Sequence, residues 1–520
     1  MSVHFRIDIE LFPLENTPAP DLAGVRQAVA QGLGPLWTSM GLPLQPNVQV
    51  RAGAQAAGLF DFALYFDGRL VPCPVCRPVS PLAPLPFRIL SALFEQRARL
   101  VSDEQLRLLR AQCSSRQTPS SSWASAPLTV WRDMARLLLK NGFSLDRLSN
   151  CFENWSPDQP VEAAFERLIQ NPDTLEIVLS MHPELAAGAS ETDPGWAARL
   201  PGFYEEIFLD LGVVLPQVQL INTDQQPVEF FQLRLNDLQL PVLPGLSAEQ
   251  VLYERPEAIH QIYVPQIKAY GAPEAANPLQ TPLAGGARDY ALGWLRFWAK
   301  RYAAWFVNAG IADALIDQLE ESNRSLVVMI REQWPTYRLC GILRRLLDER
   351  VSVRNLPEIL DVLLRIDGPL ALDDTEYLPY FSPASRVAVA APGQSTAGLS
   401  EAQIAAQVRA NLKFQVSFPG MRGGLLPCHT FEPALLRDFR EGFFEEAEAR
   451  PGTVFYRLLE TIAAQTAEDP SNPFFLVTSG ARPAVFAALQ PYFPEITVIS
   501  QEEVPPFFVP SVKSTLLLPT

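Results

Sequence analysis

A chain of 520 residues, 48% of them apolar, can bury several cores, and its length fits about three or four compact units. A formal net charge of −15 excludes nonspecific affinity for DNA, RNA or anionic lipid, each of which needs a concentrated positive surface. No run approaches the roughly 18–20 consecutive apolar residues of a membrane span, and MSVHFRIDIELFPLENTPAP (1–20) lacks the basic-then-apolar order of a signal peptide, so a cytoplasmic protein without direct membrane insertion is expected.

In chain order, the first legible elements are a strand in GLPLQPNVQV (41–50), following a helix, and a hairpin in which 60–66 turns at Asp67-Gly68 into 69–71. PCPVCRPVSPLAPLP (72–86) is too rich in proline to continue a sheet or helix and reads as a stiff connector. QTPSSSWASAP (117–127) reads as a polar loop, and AAGASETDPGW (186–196) as the boundary of an N-terminal domain over 1–190. A helix ending at 208–212 then enters the strand VVLPQVQL (213–220). Next, 231–235 pairs with 238–240 about Asn236-Asp237, a turn pair that tolerates positive φ. These elements predict an α/β hairpin subdomain over 196–285, closed by APEAANPLQTPLAGG (272–286).

A helical subdomain is expected over 286–370. Its opening segment, DYALGWLRFWAKRYAAWFVNAGI (289–311), carries more rings than one helix face buries. Trp294, Trp298, Tyr302 and Trp305 make a core stripe, while the remainder, with Phe297, faces either the core or another subunit. Leu339, Ile342, Leu343, Leu346 and Leu347 recur at the helical period, as do Leu356, Ile359, Leu360, Leu363 and Leu364, so two short helices flank a tight turn. Asn355 with Glu358 makes a capping pair, and Pro357 sits in the first turn of the second helix. After a break at 382–398, a C-terminal α/β subdomain over 399–520 ends in a strand (474–478), a helix (482–490) and a strand (496–500), a βαβ unit with parallel strands. Glu502 and Glu503 follow it and read as a solvated loop, and Lys300-Arg301 and Arg344-Arg345 as solvated helix faces.

The turn between the two leucine-rich helices, Arg350-Val351-Ser352-Val353-Arg354-Asn355-Leu356, resembles the signature of the FHIPEP family, the export-gate proteins of flagellar and injectisome type III secretion, in their cytosolic domain. The surrounding order is similar to the family's as well: Leu211-Gly212 with Pro216 ahead of a strand, a helix with Val408-Arg409, and the closing strand, Ser479, Arg482, helix, Pro494, strand, Ser500, Glu502-Glu503. The resemblance covers roughly residues 200–520. It implies a non-enzymatic docking scaffold whose partners are secretion chaperones, their substrates and other export-apparatus proteins, assembled as a homo- or hetero-oligomeric ring. Typical members carry a multi-helix membrane domain that this sequence lacks. Ile262, Tyr263 and Val264 stand where the family's chaperone-docking subdomain begins, on order alone. The alternative is a free-standing cytosolic adaptor or chaperone that kept the fold.

The N-terminal part echoes the later one. Val48 and Val218 lie 170 apart, Asp67 and Asn236 169 apart, and Ser144 in ARLLLKNGFSLDRLSNCF (135–152) stands 208 before Ser352. Either a diverged duplication or common packing patterns gives such spacing. The expected fold class is therefore α+β in several subdomains, with small mixed sheets, helical hairpins, a C-terminal βαβ unit and a degenerate internal duplication.

Reactive groups are sparse. The six cysteines suit a reducing compartment, and Cys73-Pro-Val-Cys76 is a lone pair without second ligands or a helix to activate it. The four histidines stand at no metal-ligand spacing, and neighbours such as Cys428-His429 point to opposite faces of a strand. No phosphate loop is present. No catalytic residue, metal site or cofactor is expected.

Overall fold

The computed structural model describes residues 5–12, 21–53, 59–73, 85–116, 126–153, 155–184, 195–224, 230–244, 287–367, 401–444, 449–468, 474–494 and 496–517. The joins expected at 72–86, 117–127, 186–196, 272–286 and 382–398 lie wholly or mostly outside them, as do Ile262, Tyr263 and Val264. No helix among the described residues is long and apolar enough to cross a membrane.

The first unit opens with β1 (Phe5–Leu11), α1 (Leu22–Ser39), β2 (Pro46–Ala52), β3 (Phe62–Phe66) and β4 (Arg69–Val71). Phe62, Leu64 and Phe66 alternate with more exposed residues along β3, the period-two pattern of a strand with one face on a core. β1 runs parallel to β2 across the α1 crossover and antiparallel to β3, in the order β2-β1-β3-β4. Asp21 starts α1 by accepting the Ala23 and Gly24 amides at 3.1 and 3.0 Å. A helical layer follows: α2 (Leu85–Glu95), a 3-10 turn (Arg97–Leu100), α3 (Asp103–Arg116), α4 (Leu128–Lys140), α5 (Leu148–Glu153) and α6 (Val161–Ile169).

The second unit repeats this order with β5 (Ile177–Met181), α7 (Gly195–Leu211), β6 (Val218–Asn222), β7 (Phe230–Leu235) and β8 (Leu238–Gln239), in a sheet ordered β6-β5-β7-β8, with β9 (Leu243–Pro244) also on β7. Its helical layer is α8 (Ala287–Arg301), a 3-10 turn (Ala303–Phe306), α9 (Ala309–Gln333), α10 (Thr336–Asp348), α11 (Leu356–Asp367) and α12 (Glu401–Asn411). The registers coincide: Ile7 faces Val48 and Phe66, and Ile177 faces Val218 and Leu235. So do the hairpin turns. Asp67 and Asn236 take left-handed backbone (φ +48° and +52°), and each side chain accepts the amide of the residue on the first strand's edge, Arg6 at 2.9 Å and Glu176 at 3.1 Å. Common order, register and backbone outliers identify the sequence echo as a duplication that takes in the helical layer.

Two expected boundaries move. β5 belongs to the second sheet, so 186–196 falls inside the second unit and not ahead of it. α12 packs chiefly on α10 and α11, which puts it in the helical layer and not in a C-terminal subdomain starting at 399.

The third unit holds α13 (Lys413–Ser417), β10 (Leu425–Phe431), α14 (Pro433–Arg440), α15 (Val454–Glu468), β11 (Phe474–Val477), α16 (Arg482–Leu489), β12 (Thr497–Ser500) and β13 (Val509–Leu516). The expected βαβ unit is β11-α16-β12. Unlike the mixed sheets of the first two units, all pairings in the order β12-β11-β10-β13 are parallel. The first two units share one hydrophobic core, and most of the third has its own.

The surplus of rings on α8 is explained by this shared core. Trp294, Trp298, Tyr302 and Trp305 stack in a ladder with centroid spacings of 6.3, 5.5 and 4.2 Å. The first unit covers the ladder: Phe87 meets Trp294 at 6.2 Å, Phe94 meets Tyr302 at 5.8 Å, and the Arg97 guanidinium lies 4.5 Å from the Trp305 ring centre. The Tyr302 hydroxyl donates to Glu95 at 2.6 Å, so the helix is buried between units of one chain. Tyr302→Ala should therefore destabilise the protein by about 3–5 kcal/mol, read by urea unfolding at neutral pH; a loss under about 1 kcal/mol, the scale of surface changes, contradicts joint packing.

Candidate functional site

The signature turn is a helix stop. α10 ends with Glu349 as its C-cap, Arg350 takes left-handed backbone (φ +60°), and the Arg350 and Val351 amides donate to the Leu347 and Leu346 carbonyls at 2.9 and 2.8 Å. This is the Schellman arrangement, with Val351 buried against the helix it closes. The first unit makes the same turn 208 residues earlier, where Gly142 (φ +85°) and Phe143 donate to Leu139 and Leu138 at 3.3 and 2.9 Å. In both units the turn also grips the crossover helix of its own β-unit: Leu145 N–H donates to Met40, and Val353 N–H to Leu211, each at 2.9 Å. Gly212 is required there, because its positive φ of 74° and a close approach (a Cβ would stand 2.2 Å from the Arg354 nitrogen) both exclude a side chain.

Each turn receives a neighbouring element. On the first turn sits the hairpin of the second unit: the Ser144 amide donates to Asp237 at 3.0 Å, the Asp237 amide to Gly142 at 3.1 Å, and Arg147 grips Asp237 with bonds of 2.5 and 2.7 Å. Asn236, 1% exposed, donates to the Asn141 and Trp305 carbonyls at 3.4 Å.

On the second turn sits a buried ion network that joins the third unit. Glu349 Oε2 meets Arg482 Nη1 at 2.8 Å and Arg409 Nη1 at 3.3 Å, while Glu503 Oε1 meets Arg409 Nε at 2.8 Å and Arg482 Nε at 3.7 Å. Two guanidiniums thus balance two carboxylates, all four side chains 3% exposed or less. Arg345 adds an edge contact to Glu349 at 2.9 Å. Glu503 also closes a capping box, its Oε2 accepting the Ser500 amide at 2.9 Å, and Arg409 reaches the Glu349 and Val498 carbonyls at 3.4 and 3.3 Å. Burial opposes ionisation of Glu349, but the guanidiniums of Arg409, Arg482 and Arg345 outweigh it and hold the carboxyl below its ordinary value.

Three of these charges lie in stretches that carry the family resemblance, Arg409 in the Val408-Arg409 helix and Arg482 and Glu503 in the closing segment, and Glu349 directly precedes the signature turn; sequence reasoning did not bring them together. The one signal, present at the two arginines only, was a buried apolar neighbour, as in Val408-Arg409 and Ala481-Arg482. Glu503 is therefore not in a solvated loop: it is 1% exposed and charge-balanced. Arg344 is not solvated either; it is buried, pairs with Glu166 of the first unit and donates to the Val307 carbonyl at 2.6 Å. Lys300 and Arg301 pair with Glu206, Asp210 and Glu95. Of the other signature residues, Val353 and Leu356 are buried, Ser352 is partly exposed and Arg354 exposed, and Asn355 donates to the Glu358 carboxylate, a bond between side chains and not a backbone cap. Phe297 is half-buried, edge-on to Trp294 and Trp298 at 5.9 and 5.0 Å.

The network's acids and bases are committed to one another, and the cleft beside it, lined by Arg350, Phe486, Gln490 and Pro494, is small. Cys73 is buried with its thiol pushed up to about 12 by burial, and no cluster among the described residues could hold a metal ion. The site is a joint.

No family model matches the chain, and no curated protein sequence does. Solved structures do. The Chlamydia pneumoniae CdsV protein is 17% identical with a TM-score of 0.50, the match covering 67% of this chain and 98% of that one. CdsV in its complex with CdsO is 16% identical with a TM-score of 0.51, covering 66% and 99%. The Shigella flexneri MxiA protein is 17% identical with a TM-score of 0.46, covering 66% and 98%. CdsV and MxiA are FHIPEP-family export-gate proteins of type III secretion, matched in their cytosolic domains. The class defined here is thus the export-gate cytosolic fold, which this chain carries over two thirds of its length.

Glu349→Gln leaves two buried arginines to share Glu503 and should cost about 3–5 kcal/mol at pH 7. A carboxyl depressed on folding contributes stability that is present above its unfolded pKa and lost as pH falls through the folded one. The gap between native and E349Q in urea unfolding should therefore narrow below the ordinary carboxylate value of 4.5; a gap that does not change with pH contradicts the ionic origin. At the turns, Gly142→Ala puts a Cβ 2.3 Å from the Trp305 ring at positive φ and should destabilise by about 2–4 kcal/mol, whereas Arg350→Gly relieves left-handed strain and should leave the melting temperature equal or higher. Equal effects of the two on thermal melts would refute the assignment.

Proposed function

We propose that the chain is a component of a type III protein-secretion export apparatus, working in the cytoplasm as a non-enzymatic docking scaffold. The observation that carries this is the fold: the match spans nearly all of CdsV, and the sequence stretches that resemble the family's motifs meet in one buried joint. One of the matched CdsV structures is a complex with CdsO, which supports an equivalent protein partner for this chain. Chaperone–substrate complexes are the proposed cargo, with Ile262, Tyr263 and Val264 as their docking segment, Phe297 as an accessory contact and ring assembly as the working state. A rigid joint suits such a scaffold, because a platform that exchanges cargo needs weak, reversible contacts presented in fixed geometry.

In-cell crosslinking through photoreactive groups placed at Tyr263 and Phe297, in bacteria that express the native secretion system, tests this reading. Adducts with export-apparatus proteins or secretion chaperones, together with loss of effector export when the gene is deleted, are the expected results. Normal export on deletion and no such adducts would move the free-standing adaptor ahead.

A further inference from the structure

The third unit exposes a shelf of aromatic rings beside an open sheet edge. Phe414 and Phe418 stack at 4.9 Å, Phe508 approaches Phe414 at 5.9 Å, and Phe507 lies edge-on to Phe508 at 4.7 Å. Phe418 is 58% exposed and Phe507 69%. Leu425 and Val509, partners across the β10–β13 pair, are exposed as well, and Val512 is exposed on the opposite face of β13. Large exposed rings gathered side by side mark interaction sites.

The shelf is held rigid. Ser417 donates to the Glu503 carbonyl at 2.5 Å, so α13 hangs from the ion network, and a Cβ on Gly420 would stand 2.5 Å from the Phe474 ring. Beside it, β13 is the last strand of its sheet, with no further strand among the described residues on its outer side. A free edge offers unpaired backbone groups to another strand. Pro510 withholds one donor and a bulge falls at Lys513, where the β10 register skips between Cys428 and His429, so the edge is kinked but not closed.

Charge selects the occupant. Within 412–430 and 504–517 the charged residues are Lys413, Arg422 and Lys513, with no aspartate or glutamate, in a chain of net charge −15. We infer that the outer edge of β13 and the adjoining phenylalanine shelf form a docking site for an extended, acidic segment of a partner protein, which adds to the sheet as a further strand. Its backbone pairs with β13, alternate apolar side chains lie on the shelf, and its carboxylates meet the local basic residues. This inference rests on the third unit alone and does not require a role in secretion.

A phage-displayed library of short random peptides, selected on the full chain and counter-selected on Phe418→Ser and Phe507→Ser, tests it. Both variants change exposed rings and should keep the native melting temperature, which shows that the fold is intact. Expected are enriched peptides that alternate apolar and acidic residues, bind the variants about tenfold or more weakly, and slow amide exchange along β13. The inference is overturned if enriched peptides bind the variants equally, if they are basic or helical, or if light scattering shows that the edge is instead covered by a second copy of the chain and the dimer is lost in the variants.

Discussion

The third unit is held to the rest of the molecule by the charge balance of Glu349, Glu503, Arg409 and Arg482, removed from water together. Burying one such charge alone is prohibitive, so each member is tolerated only while the other three are in place. The four come from a helix stop, the last helix of the second helical layer, the start of α16 and the turn after β12. Their meeting therefore requires all of these elements in one geometry. Hydrophobic packing alone is non-directional and would let the two cores slide; a network with fixed donor and acceptor positions does not.

The same local device is used twice. A helix closed by a left-handed residue presents its last carbonyls and the following amides in one direction, and those backbone groups must find partners. At Gly142 they find the hairpin of the second unit; at Glu349, before Arg350, the carbonyl receives Arg409 of α12, which in turn holds Glu503 of the third unit. Duplication so produced a chain in which each signature turn serves as the socket for a later element. Among the described residues the first hairpin fills no such socket: Asp67, Gly68 and Arg69 are exposed, whereas Asn236 and Leu238 at the matching positions are buried.

Much of the fold was legible because it rests on local rules. The leucine periodicity gave α10 and α11, turn pairs at Asp67-Gly68 and Asn236-Asp237 gave both hairpins, and alternating short segments gave β11-α16-β12. What stayed hidden was long-range. The strand at 177–181 reads as part of the preceding half, because nothing local says that its partners lie at 218–222 and 230–235. The rings of α8 exceed one face because two units bury them, which a single helix cannot reveal. Glu503 and Arg344 look like surface charges, since a sequence shows a charge but not its counter-charge.

The central claim is that the signature turn and the third unit are locked as one body through the ion network, and native-state amide hydrogen exchange of Arg409→Met tests it most directly. The Val351 and Val353 amides in the turn, the Ser500 amide at the end of β12 and the Val504 amide beyond it are each hydrogen-bonded in the native protein. In the variant all four should lose protection together, although about 150 residues separate the two groups in sequence. Loss of protection confined to α12, with the turn and the end of β12 exchanging as before, would show that the network does not hold the units together.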